Sequence, residues 1–221
     1  MTILGEQISK TLLPGMVIPG ELNALFTWIE SNDLYLDKDD GRIGFLFPLD
    51  KLKEGKKDAE RPGGTIIEFF AEGNINLHHW FGHDHADVLN RLCVFAQTGG
   101  DGSMAAFWLD DDGNQRIVHI GSGSGSTLCC ILAETPIDFL RLLAIGYDEI
   151  CWDDEFPYPP NSPECDTGMH VHPNTKYRDW LKSTFAVSIP ERATEIVKHP
   201  SGMDDTDSPD RFCRWVQQNT E

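Results

Sequence analysis

The chain predicts an α+β fold in which a run of strands is followed by helices. Residues 93–145 read as strand, Gly-rich turn, strand, Asp-Gly hairpin, strand, Gly/Ser turn, strand and then an amphipathic helix. Asp112-Gly113 separates two apolar runs and supplies the positive-φ turn of a hairpin. Apolar residues at helical spacing lie before and after this block.

In chain order, residues 1–18 are a weakly patterned leader. Leu22, Leu25, Phe26 and Ile29 give a helix over residues 19–31, with Glu21 in the first turn, where the helix dipole favours an acid. Asp37, Asp39, Asp40 and Gly41 make a turn, and GRIGFLFP a short strand stopped by Pro48. Residues 49–64 read as a charged loop and TIIEFFAEG as a strand of β-branched and aromatic residues. NINLHHWFGHDH reads as another strand and turn, in which His78 and His79 alternate across the strand. Residues 88–97 and 126–132 add strands. Thr135 caps a helix that has Pro136 in its first turn and Gly146 at its end. Five prolines in residues 152–173 exclude a helix interior or central strand and predict a surface loop. Asn174 caps a helix whose apolar face is Tyr177, Trp180, Leu181 and Phe185. Pro190 starts a shorter helix, and Ser208 or Asp210 caps the last, RFCRWVQQN. Residues 1–185 are expected to form one domain, with residues 186–221 a helical extension packed on it.

The 221 residues are 40% hydrophobic and 10% aromatic, enough for a substantial core. The net charge is -18, from 36 acids against 18 Lys and Arg. That field repels nucleic acid and anionic lipid and attracts basic proteins, so neither nucleic acid nor membrane is an expected partner. No apolar run reaches the length of about 18 residues that a spanning helix needs, and the N-terminus lacks the pattern of a secretory signal. The cysteines Cys93, Cys129, Cys130, Cys151, Cys165 and Cys213 form no C-x-x-C pair, which predicts free thiols in a reducing cytoplasm, with Cys165 exposed.

Few motifs carry chemistry. His83, His85 and Asp87 form an H-x-H-x-D pattern able to hold a metal. The run is similar to one in the metallo-β-lactamase family, but that family has a second His directly after the Asp, where Val88 stands here. IGSGSGS, residues 120–126, lacks the Lys-Ser/Thr of a phosphate loop and is followed by a strand, so it reads as a hairpin turn. His170 and His172, near Cys165 and Asp166, are a loose zinc pattern. The acidic clusters Asp110, Asp111, Asp112 and Asp153, Asp154, Glu155 lie beside the aromatics Trp108, Trp152, Phe156 and Tyr158. Aromatic anchors within an acidic rim predict a surface for a basic protein.

The helix from Pro19, the strand FAQTGGDGSMAAFWLD with its Gly-Gly-Asp-Gly turn, the strand RIVHI and the helix TPIDFLRLLA together resemble the SUKH superfamily. That superfamily includes a yeast regulator of cell-wall synthesis and many bacterial immunity proteins. The resemblance covers about residues 19–146 and extends more loosely to 185. It implies a mixed, mainly antiparallel sheet with helices packed against it, no catalysis, no cofactor, and a cognate toxin domain as partner. The long loop at 152–173 and the segment beyond Phe185 depart from the family pattern. The expectation is therefore an immunity protein that binds a basic toxin domain through Asp110–Asp112 and Asp153–Glu155, anchored by Trp108, Trp152 and Phe156. The alternatives are a metal-dependent hydrolase built on His83, His85 and Asp87, and a non-catalytic regulatory scaffold.

Overall fold

The computed structural model describes residues 2–50, 60–164 and 170–220. Helix α1 (Ile3–Thr11) and helix α2 (Gly20–Ser31) precede a hairpin of β1 (Tyr35–Lys38) and β2 (Gly41–Phe45). After β3 (Glu60–Pro62) and β4 (Glu68–Gly73) come two short helices, α3 (Leu77–Phe81) and α4 (Ala86–Leu89). Strands β5 (Leu92–Gln97), β6 (Met104–Leu109), β7 (Gln115–Ile120) and β8 (Cys129–Ala133) lead into helix α5 (Pro136–Ile145). Strand β9 (His170–His172), helix α6 (Thr175–Phe185), a 3₁₀ turn at Ala193–Glu195 and helix α7 (Arg211–Asn219) complete the chain.

The α+β fold stands. Strands β1-β2-β4-β5-β6-β7-β8 form one seven-stranded antiparallel sheet in that order. The parallel pairing is confined to a separate ribbon of β3 and β9. The charged loop at 49–64 and the Pro-rich loop at 152–173 thus each hold a short strand, where the sequence predicted none. Residues 51–59 of the first, and Cys165 and Asp166 of the second, lie outside the described residues.

Strands β5–β8 are covered on both faces. Side chains alternate along a strand, so Cys93, Phe95, Ala105, Phe107, Cys130 and Leu132 face one core, shared with α1, α2, α5 and α6. Leu92, Val94, Ala106, Trp108, Cys129 and Ile131 face a second core, closed by Leu77 and Phe81 of α3 and by Phe212, Trp215 and Val216 of α7. A sheet buried on both sides reads as continuous apolar runs such as MAAFWL and CCILA, without the polar alternation of a half-exposed strand. The C-terminal helix is therefore a wall of the core.

Several local expectations need correction. The leader holds α1, capped by the Thr2 hydroxyl on Gly5 N–H, with Leu4 and Ile8 fully buried. Gly44 of β2 lets that helix approach: a Cβ there would stand 2.7 Å from Leu4 Cδ2. HHWF is helical, ended by Gly82 at φ 80°; one turn of helix is too short to show a 3.6-residue period. The helix expected from Pro190 shrinks to the 3₁₀ turn. The local caps hold as read: Thr135, Asn174 and Asp210 each accept a hydrogen bond from a first-turn N–H, and Gly113 and Gly146 take positive φ.

Asp210 also closes the sheet edge. One carboxylate oxygen accepts from Cys213 N–H at 2.9 Å and the other from Ile131 N–H of β8 at 3.0 Å. Ser201 carbonyl takes Cys129 N–H at 2.7 Å. The outer donors of β8 are thus satisfied by the C-terminal segment, which blunts an edge open to strand pairing.

Candidate protein-binding face

At one end of the sheet the turn 98–103, the turn 121–128 and the segments 148–156 and 201–207 converge. Asp101 organises them. Its carboxylate accepts from Ser103 N–H (2.9 Å), Ser103 Oγ (3.0 Å), Ser122 Oγ (2.7 Å) and Ser126 N–H (2.7 Å). Burial pushes its pKa up, but these bonds, led by the Ser126 and Ser103 amides, hold the carboxyl below the usual range. A Cβ on Gly125 would meet the Asp101 carboxylate side chain at 2.7 Å, so the close wrap requires glycine. The Gly/Ser turn is committed to this internal carboxylate, which explains why it forms no anion cradle.

Segment 148–156 is tied on by Ile150 N–H to the Thr98 carbonyl (3.0 Å) and by Ser126 Oγ to the Cys151 carbonyl (2.6 Å). Phe156 is buried against Tyr147, with ring centroids 6.3 Å apart. Between these anchors Asp153 and Asp154 face solvent, and Trp152 is 37% exposed, with its indole N–H donated to Glu149 at 2.9 Å. Burial, then the charges of Asp154 and Glu149, push the Glu155 carboxyl up to about 7. Met203 N–H to the Thr127 carbonyl (2.8 Å) brings exposed Asp204, Asp205 and Asp207 to the same end.

Beneath this face lies His119, fully buried. Its Nδ1 is 2.8 Å from the Leu128 carbonyl and its Nε2 is 3.0 Å from Thr98 Oγ1. A carbonyl only accepts, so Nδ1 carries the proton and Nε2 accepts from Thr98. Burial pushes the imidazole down to about 4, partly opposed by the Leu128 bond and by Asp101.

The structure divides the expected binding residues. The 110–114 turn caps the opposite ends of β6 and β7, about 20 Å away over six residues of strand. Asp110 is not a surface anchor: it is 6% exposed, accepts from Asp112 N–H (3.1 Å) and Asn114 N–H (2.7 Å), and pairs with Arg116 at 3.5 Å. Asp111 pairs with Arg91 at 2.8 Å, and Asp112 is exposed. Trp108 is 2% exposed, packed between Phe212 (5.2 Å) and Trp215 (5.6 Å). Phe156 anchors its loop from inside the core and cannot touch a partner. Trp152, Asp153 and Asp154 remain as exposed residues, with Glu155 half-buried beside them. Asp101 and Glu149 were missed; the Gly-Gly-Asp-Gly-Ser context of Asp101, a carboxylate inside a tight turn, was the available signal.

Of the two metal patterns, the H-x-H-x-D run does not assemble, and Cys165 and Asp166 of the other lie outside the described residues. His83 Nε2 meets the Asn219 carbonyl at 2.5 Å and its Nδ1 accepts from His85 N–H at 3.1 Å, so both ring nitrogens are engaged. Its ring stacks on His85 at 4.1 Å. Among the described residues no group of three His, Cys, Asp or Glu is placed to hold a metal ion, His170 and His172 included. No described helix is long and apolar enough to cross a membrane. Comparison with family models, curated proteins and solved structures gave no match.

Proposed function

We propose that this chain is a non-catalytic immunity protein that neutralises a basic toxin domain by stoichiometric binding at the acidic end of its sheet. The observation that carries the reading is Trp152: a partly exposed aromatic, hydrogen-bonded to Glu149, flanked by Asp153 and Asp154 and held on a pinned loop. A rigid aromatic anchor inside a charged rim is the composition of an interface hot spot. The rim and the net charge of -18 steer a basic partner toward it. The likeness to the SUKH superfamily supplies the toxin as the class of partner. The five described cysteines are free and buried, which fits the cytoplasm as its compartment.

The test is a titration of the partner's toxic activity with the purified chain. Inhibition complete at one equivalent, and lost in a Trp152→Ala plus Asp153→Lys variant of unchanged melting temperature, supports the reading. Full inhibition by that variant, or turnover of the partner by catalytic amounts of the chain, rejects it.

A further inference from the structure

A cleft of about 360 Å³ opens between the first turn of α7 and residues 196–199. Ile131, Ile196 and Pro209 form apolar walls, and the cationic side chains of Lys198, Arg211 and Arg214, with the imidazole of His199, stand at its rim. All four of these residues are exposed. In a chain with twice as many acids as bases, this concentration of positive groups stands out. Arg211 and Arg214 are three residues apart on one helix and share a side of it.

Two carboxylates, Glu134 and Asp210, also line the cleft, and they engage its cations only in part. Glu134 Oε2 accepts from Arg116 at 2.6 Å and makes a looser ion pair with Arg211 at 3.8 Å. Arg211 also makes a loose ion pair with Asp110 Oδ2 at 3.7 Å, longer than a hydrogen bond. Asp210, in the wall, spends both oxygens on backbone N–H groups. Arg214 gives one N–H to the Ser208 carbonyl at 2.9 Å. Lys198 gives one N–H to the Glu195 carbonyl at 2.5 Å. Each guanidinium carries five N–H donors, more than these contacts occupy, and such forks suit a tetrahedral oxyanion. A volume of this size with apolar walls suits a ligand with an uncharged body as well as an anionic head.

We propose that this cleft binds a small phosphate monoester, its phosphoryl group held by Arg211, Arg214 and Lys198 and its apolar body against Ile131 and Ile196. The site is independent of the proposed immunity function. Phenyl phosphate is the probe, titrated calorimetrically into the full chain, with benzyl alcohol as the uncharged control. Saturable one-to-one binding of phenyl phosphate and none of benzyl alcohol is expected. Arg211→Gln with Arg214→Gln weakens it at least about tenfold, the loss expected for charge-assisted bonds. Lys198→Gln, outside any regular helix, weakens it about threefold and covers the case in which the double variant fails to fold. No saturable binding at millimolar concentration, or affinity unchanged in the folded variants, overturns the proposal. Binding of a glutamate-rich peptide without binding of phenyl phosphate also overturns it and assigns the cleft to an acidic polypeptide.

Discussion

Replacing His119 by Gln removes the one imidazole that the fold buries completely, and its consequence depends on pH. The folded protein holds the neutral ring, with Nδ1–H on the Leu128 carbonyl and Nε2 facing the Thr98 hydroxyl. The unfolded chain protonates the same ring near 6.5, whereas the folded one resists protonation down to about 4. Between those values the unfolded state binds more protons, so the contribution of His119 to stability is complete above 6.5 and is lost as the pH falls toward 4. A depression of this size corresponds to about 3 kcal/mol. Glu155 acts with the opposite sign: its carboxyl is raised to about 7, so it lowers stability as the pH rises from 4.5 through 7. Comparing wild type with His119→Gln cancels Glu155 and the other carboxylates. The assay is urea denaturation at pH 7, 6, 5 and 4. The stability difference between wild type and variant should shift by about 3 kcal/mol across that range, against the wild type on acidification. Parallel curves would refute the assignment of a neutral buried imidazole. Thr98 and Leu128 bound the acidic face, so the protection of amides in residues 98–103 and 121–128, relative to their intrinsic exchange rates, should also fall at pH 4.

Three further outcomes follow from the packing. Phe212→Ala should destabilise the chain by about 3–5 kcal/mol in chemical denaturation, because it leaves a cavity under Trp108. Asp210→Ala orphans the buried Ile131 and Cys213 amides and should cost about 2–4 kcal/mol, with faster amide exchange in β8. Asp101→Ala removes the acceptor for Ser103, Ser122 and Ser126, so residues 121–126 should lose protection from exchange while α1 and α2 keep theirs.

The legible parts of the fold were those set by neighbouring residues. The α2 period, the Asp112-Gly113 turn, and the Thr135 and Asn174 caps depend on contacts within a few positions. Trp108 was misread because what buries it, Phe212 and Trp215, lies about a hundred residues later. A Trp beside three Asp residues looks like a surface anchor until the helix that covers it is placed. Asp110 was misread for a related reason: its partners include Arg116 across the hairpin and Arg211 on α7. The two acidic clusters look alike in sequence, and only strand direction separates them to opposite ends of the sheet. The cationic cleft was hidden because an acidic linker, residues 204–207, separates Lys198 and His199 from Arg211 and Arg214 in the chain.

The most direct test of the central claim compares three immobilised forms of the chain as bait in a lysate of its own host: wild type, Asp111→Lys with Asp112→Lys, and Asp153→Lys with Asp154→Lys and Glu155→Lys. Bound proteins are identified by mass spectrometry, and association rates of the captured domain are measured at low and high salt. One basic domain should be held equally by the first two baits. On the third its association should slow by about tenfold or more at low salt, with the difference fading at high salt. A partner that binds all three baits at the same rate, or one that is lost only from the 111–112 variant, would contradict the placement of the binding face at the Trp152 end.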